Sequence, residues 1–141
     1  MDLTASRVLL VGASLALLAT AGCGGEGDET VPRDIAGPPR QVARVVDDLD
    51  RAVRARDFER ICRDLLTADA RARAGGGRCA AKMAAEAKDV RRPWIKLQSI
   101  HVVGNRAEAV LLTSAKGEEP VEETLQLARR GDGYRIVALD R

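Results

Sequence analysis

Aromatic residues are scarce in this chain of 141 residues, and neither sign of charge is in large excess. Phe58, Trp94 and Tyr134 are its aromatic residues, and three scattered rings argue against a pocket built on stacked aromatic side chains. The 23 basic residues are nearly balanced by 21 acidic ones, which leaves a formal net charge of +2. A charge this small does not indicate a nucleic-acid partner, and none is predicted.

Residues that commonly carry chemistry are also scarce. His101 is the single histidine, and the cysteines are Cys23, Cys62 and Cys79. A zinc site is disfavoured because no close Cys-x-x-Cys pair is present. His101 could act as a general base, but that role needs a positioned substrate and usually an orienting partner, and no carboxylate can be assigned to it. The sequence therefore predicts no catalytic residue, no cofactor and no metal site.

The longest apolar run is too short to cross a membrane. It extends over residues 8–19, whereas a helix that spans a bilayer needs about 20 apolar residues. Arg7 precedes the run, and the run ends in the small residues 19–22. This pattern is typical of a secretory signal peptide. Residues 1–22 are therefore predicted to be a signal peptide, and the remaining chain is predicted to be exported.

The segment LLATAGC, residues 17–23, resembles the lipobox of bacterial lipoproteins. The resemblance implies that Cys23 is acylated with diacylglycerol and becomes the new N-terminus. Two acyl chains anchor a protein firmly, so the expected location is the outer face of the cell membrane. Ordinary cleavage after Ala21, at the Ala-x-Ala site 19–21, is the alternative and would give a secreted protein. An uncleaved apolar anchor is disfavoured by its length.

Composition and apolar spacing divide the exported part into a tether and a domain. Residues 23–40 are rich in Gly, Pro and acidic residues and lack an apolar period, which predicts a flexible tether. Residues 41–141 are assigned to one domain. The first half of this domain predicts three helices. The first begins at Gln41, the second begins after the N-cap Asp57, and the third extends over 78–90 after a glycine triplet. Thr67 is expected to cap a short turn through Arg73.

The second half of the domain has the pattern of strands. Four extended segments are predicted at 94–103, 107–114, 121–129 and 134–139, with turn residues between them. Helices followed by consecutive strands predict an α+β fold, in which three N-terminal helices pack on one face of a curved four-stranded antiparallel sheet. The pairs Arg91–Arg92 and Arg129–Arg130 stand at the ends of elements and are interpreted as solvated charge.

Three motifs resemble small exported proteins of the nuclear-transport-factor-two-like superfamily, which includes the SnoaL-like proteins and the cystatin-like cone. They are FxxICxxLLT at 58–67, GGRC at 76–79 and GDGYRIV at 131–137, and the resemblance covers roughly residues 41–140. It implies a curved sheet wrapped against helices, with a concave face that can form a pocket. It does not imply one activity, because the fold hosts enzymes, binders and scaffolds.

Cys62 and Cys79 are predicted to form a disulfide bond. Each lies on an apolar face of a predicted helix, and export would place both in an oxidising compartment. The bond would close a loop of about 17 residues, which contributes roughly 3 kcal/mol in the chain-entropy model. Two buried free thiols are the alternative interpretation.

Two functional hypotheses follow from the sequence. The favoured one is a lipoprotein whose non-catalytic domain binds a small apolar ligand or a cell-envelope protein, while the lipid on Cys23 binds the membrane. The alternative is a small enzyme of the isomerase or dehydratase type that uses His101 in a cone pocket. An accessory lipoprotein whose sheet packs against a partner domain is a variant of the first hypothesis.

Overall fold

The structure is a computed structural model that describes residues 36–140, with only the backbone at 139 and 140. The predicted signal peptide, Cys23 and tether residues 23–35 lie outside the described residues. The helices are α1 (Gly37–Ala55), α2 (Phe58–Arg60, continued by a π-helical turn Ile61–Leu65), α3 (Ala68–Arg73), a 3₁₀ turn (Gly76–Arg78) and α4 (Cys79–Glu86). The strands are β1 (Trp94–Val103), β2 (Arg106–Ser114), β3 (Val121–Arg130) and β4 (Gly133–Asp140).

Helix α1 begins at Gly37, four residues before the predicted start at Gln41. It therefore includes the last four residues of the segment 23–40 that was predicted as tether. Two prolines stand in its first turn, where the missing N–H groups would have no helical partner and the fixed φ suits a helix. The two prolines thus extend the helix into a segment that has no apolar period of its own.

The helices that follow α1 are shorter and more broken than the apolar period predicts. The two predicted caps are present, since Asp57 Oδ1 accepts from the N–H of Arg60 at 3.1 Å and Thr67 Oγ1 accepts from that of Ala70 at 3.2 Å. The predicted helix over 78–90 ends at Glu86. A 3₁₀ turn over the glycine triplet leads into it, and Gly75 has φ 115°, a conformation that glycine adopts without steric cost.

The four strands form one antiparallel sheet in chain order, β1-β2-β3-β4. Two irregularities interrupt the registers, one in β1 between Leu97 and Ser99 and one where Gln126 and Leu127 of β3 face β4. Bulges of this kind bend a strand and increase its twist. The chain between α2 and α3 lies against the last strand, because the N–H of Thr67 donates to Ile136 O at 2.9 Å.

The core lies between α1 and one face of the sheet, which we name the inner face; the opposite face is the outer face. Val42 and Val46 of α1 are 0% and 2% exposed. They belong to one apolar cluster with the buried inner-face residues Ala107, Ala109, Leu111, Leu125, Leu127, Tyr134 and Ile136. The α+β architecture with helices on one face of a four-stranded antiparallel sheet is therefore as predicted. None of the described helices is long and apolar enough to cross a membrane.

Candidate functional site

The sulfur atoms of Cys62 and Cys79 lie at disulfide distance, as predicted, with their Cα atoms 6.1 Å apart. The pair joins the π-helical turn after α2 to the first residue of α4. Both side chains are buried, at 5% and 1% exposure. The link therefore ties the amino end of α4 to the π-helical turn.

His101 lies on the outer face of the sheet, away from α1. It pairs with Glu108, and both residues are exposed. Simple alternation would put His101 on the same face as Ile95 and Leu97. The bulge at Gln98 shifts this alternation by one residue, because side chains of a strand change sides at every position. A cone pocket that uses His101 as its base, the alternative hypothesis, therefore does not match the observed geometry.

The inner face holds two buried polar groups near opposite ends of the sheet. Glu123 is 6% exposed and accepts a hydrogen bond from Thr113 Oγ1 at 3.2 Å. At the other end, Tyr134 is 4% exposed, and neither its hydroxyl nor Gln41 Oε1 has a hydrogen-bond partner among the described residues. A buried polar atom without a partner is unfavourable, so each of these two atoms costs free energy.

A cleft of about 920 Å³ opens at the carboxyl end of α1, where the segment between α4 and β1 passes the β2–β3 loop. We name it the basic cleft, because six cationic side chains line it and no carboxylate does: Arg54, Arg56, Lys88, Arg91, Arg92 and Lys116. The remaining lining includes Val53, Val90 and Trp94. Its volume lies in the range of sites for small molecules.

The guanidinium of Arg56 holds one wall of the basic cleft in place. Its Nη2 donates to Ala87 O at 2.7 Å and to Val90 O at 3.1 Å, and its Nη1 donates to Ala87 O at 3.2 Å. These carbonyls follow the end of α4, where the last turn of a helix leaves acceptors without internal partners. A second link comes from the N–H of Lys116, which donates to Arg91 O at 2.7 Å.

Two residues of the basic cleft have an unusual backbone conformation. Within residues 36–140, Arg56 and Arg92 are the non-glycine residues with positive φ, at 57° and 48°. Such conformations cost free energy for residues with a Cβ, and they persist where the surroundings impose them, often at functional sites. Arg92 also precedes a proline, a position that normally favours extended backbone.

Only part of the positive charge in the cleft is neutralised. Arg54 forms an ion pair with Asp50 at 2.8 Å, and the ammonium of Lys88 lies 4.0 Å from an exposed aspartate. The side chains of Arg91, Arg92 and Lys116 form no ion pair or hydrogen bond with any described residue. Three cationic side chains without a partner among residues 36–140 thus line one concave surface of a chain whose total net charge is +2.

One exposed ion pair shifts the pKa values of its members. Arg63 donates to both carboxylate oxygens of Asp64, at 3.0 and 2.9 Å. This hydrogen bonding lowers the pKa of Asp64 below its ordinary value and raises the pKa of Arg63. The pair is outside the basic cleft, and its exposure limits its effect on stability.

Sequence reasoning missed the basic cleft. It interpreted Arg91 and Arg92 as solvated charge, and both are exposed, but it did not place them in one cleft with Arg56 and Lys116. The Arg-Arg-Pro-Trp segment at 91–94 was a usable signal, because it places two guanidiniums beside the single tryptophan. The sequence predicts no metal or cofactor ligand. In the structure, residues 36–140 contain no group of His, Cys, Asp and Glu suited to a metal.

Comparison with known proteins supports the fold and nothing finer. No protein-family model matches the chain, and no curated protein matches it. A solved structure of a designed nuclear-transport-factor-two-like protein is similar, with a TM-score of 0.56 and 16% sequence identity, over 72% of this chain and 97% of the designed one. The chain therefore has a nuclear-transport-factor-two-like fold.

Proposed function

We propose that this protein is a lipoprotein of the outer face of the cell membrane, anchored through Cys23, whose nuclear-transport-factor-two-like domain binds a ligand without transforming it. The fold is compatible with ligand-binding and isomerase-like domains, so the proposal has two parts. One concerns the anchor and the other concerns the domain, and each rests on its own observation.

The cysteine pairing is the observation that carries the anchor. The chain has three cysteines, and the sulfurs of Cys62 and Cys79 are at disulfide distance. Cys23 is then the remaining thiol of a chain that begins with a signal-peptide pattern. Lipidation gives this thiol a chemical role, and the surrounding LLATAGC segment is of the type that a lipoprotein signal peptidase recognises.

The position of polar side chains favours binding over catalysis. Val42 and Val46 of α1 pack directly on the inner face, so apolar side chains cover much of the surface that the family resemblance assigns to a pocket. His101, the best general base of the sequence, lies on the other face. The basic cleft is a concave surface that carries cations without a partner among residues 36–140, which suits recognition of a ligand.

Mass spectrometry of the protein expressed with its own signal in a bacterial host tests both parts. The membrane fraction is extracted without reductant, and Cys23→Ser is the matched control. We expect a diacylated chain that starts at Cys23 and is two hydrogens lighter than the reduced form, and a Cys23→Ser protein that leaves the membrane. A lipid-free wild-type chain in the medium that begins at Gly22 would contradict the anchor.

Native mass spectrometry of the same extract tests the binding part. A retained small molecule supports a binding domain, and its mass gives the ligand class. Incubation of the protein with the retained compound should return it chemically unchanged. Release of a modified compound would contradict the non-catalytic assignment and favour an enzyme.

A further inference from the structure

We propose that the basic cleft is a binding site for a small phosphate-bearing molecule that is free in solution. This inference deepens the proposed function, because it names the ligand class of the binding domain. It rests on the charge, the construction and the location of the cleft, and each of these points to the same type of ligand.

The charge of the basic cleft requires an anionic ligand. Three of its charged groups have no partner among residues 36–140: the guanidiniums of Arg91 and Arg92, with five N–H donors each, and the ammonium of Lys116. Guanidinium forks bind phosphate through paired hydrogen bonds, and lysine adds a compact point charge. Since several cations converge, a ligand with at least two negative charges is favoured over a single carboxylate.

The construction of the cleft fixes the backbone segments that carry its cations before a ligand arrives. Arg56 donates to Ala87 O and Val90 O, and the N–H of Lys116 donates to Arg91 O. These bonds join α1, the α4–β1 segment and the β2–β3 loop around one space. A preorganised site loses less entropy on binding, and the positive φ of Arg92 is a cost that such a site can explain.

The location of the cleft favours a free molecule over a membrane head group. The chain enters the domain at Gly37, and the cleft is at Arg54 and Arg56, near the other end of α1. At 1.5 Å per residue these ends are roughly 25 Å apart. The cleft is thus at the end of α1 opposite to Gly37, where the predicted tether joins the domain.

The single tryptophan of the chain provides the assay, because Trp94 lines the cleft. The mature lipidated protein in neutral detergent is titrated with pyrophosphate and with inorganic phosphate at constant ionic strength set by chloride. We expect a saturable change of Trp94 emission with half-saturation below about 1 mM. Pyrophosphate should bind more tightly than phosphate, and chloride alone should give no saturable change.

Variants decide whether the cleft is responsible. Arg91→Ala/Arg92→Ala should weaken pyrophosphate binding by about tenfold or more, since it removes two charge-assisted partners. Lys116→Ala should weaken it by a smaller factor without touching the segment beside Trp94. Arg44→Ala/Arg129→Ala removes the same charge from exposed positions outside the cleft and should bind as the wild type does. Circular dichroism verifies that each variant is folded.

The following results would overturn the inference. One is the absence of any saturable response to either anion. Another is an equal loss of pyrophosphate affinity in the cleft and control variants. A further one is sedimentation with phosphatidylglycerol vesicles that depends on Arg91 and Arg92, without a response to free anions. None of these removes the lipid anchor, which the mass of the Cys23 peptide reports separately. A different retained mass in native mass spectrometry would leave the binding domain in place and reject only the phosphate.

Discussion

Arg56 provides the most informative single perturbation, because its side chain and its backbone contribute with opposite signs. The guanidinium donates to Ala87 O at 2.7 Å and to Val90 O at 3.1 Å, while its φ of 57° is unfavourable for a residue with a Cβ. Hydrogen bonds to charged groups contribute about 1.5–3 kcal/mol each. Since Arg56 is exposed, we reduce this to about 1 kcal/mol per bond.

Two substitutions separate these contributions. Arg56→Ala keeps the backbone cost and loses the bonding to the two carbonyls, Ala87 O and Val90 O, so the free energy of unfolding should fall by about 2 kcal/mol. Arg56→Gly loses the same bonds but relieves the left-handed conformation, which returns about 1 kcal/mol. The expected order of stability is therefore wild type, then Arg56→Gly, then Arg56→Ala.

Urea denaturation followed by circular dichroism measures this order, and hydrogen exchange of the Val90 amide reports the local effect. Arg44→Ala, an exposed substitution in the same helix, should change stability by less than about 0.5 kcal/mol. The reasoning would be refuted if Arg56→Gly were no more stable than Arg56→Ala. It would also be refuted if Arg56→Ala matched the control, because the observed bonds would then contribute nothing.

Three further perturbations test other parts of the domain. Reduction of the Cys62–Cys79 link, which closes a separation of 17 residues, should lower the free energy of unfolding by about 3 kcal/mol. Urea titrations with and without reductant measure this, and a loss of stability below about 1 kcal/mol would contradict it. Tyr134→Phe removes a buried hydroxyl that has no partner among the described residues, so stability should stay constant or rise by about 1 kcal/mol, whereas a clear loss would show that the hydroxyl is bonded. Arg63→Gln should raise the pKa of Asp64 toward its ordinary value, as measured by a carboxyl-carbon NMR titration. Because the wild-type pKa of Asp64 is lowered, the contribution of this pair to stability is present above the ordinary Asp pKa. That contribution disappears as the pH falls through the lowered pKa of Asp64. An unchanged Asp64 titration in the variant would show that Arg63 is not the cause of the shift.

Most elements of the fold could be predicted because their signals are local. Val42, Val45 and Val46 repeat at helical spacing, and the same residues are buried against the sheet. The caps at Asp57 and Thr67 were predictable since a short polar side chain satisfies N–H groups only a few residues away. Both limits of β1, the end of β2 and the start of β3 match their predictions as well, and the other four strand limits differ by one residue.

The details that failed depend on neighbours in space. The end of α4 at Glu86 has no apolar period to mark it, whereas the start of α1 at Gly37 is marked locally by the two prolines of its first turn. His101 changes sides because of a bulge in the pairing of β1 with β2, and the sequence of β1 alone cannot show a register. The bond from the N–H of Ile95 to Asp50, at 2.8 Å, joins residues 45 positions apart and has no local signal in the sequence.

The sequence by itself determined the α+β order, the buried face of α1 and the cysteine pair, and it still carries the prediction of a lipid on Cys23. These depend on periodicity, on short-range capping and on the number of cysteines. Only the tertiary structure decided which face carries His101 and that a basic cleft exists. Arg56, Arg91 and Lys116 come from three separate segments of the chain, and their positive charges meet only when α1, α4 and the sheet have packed together.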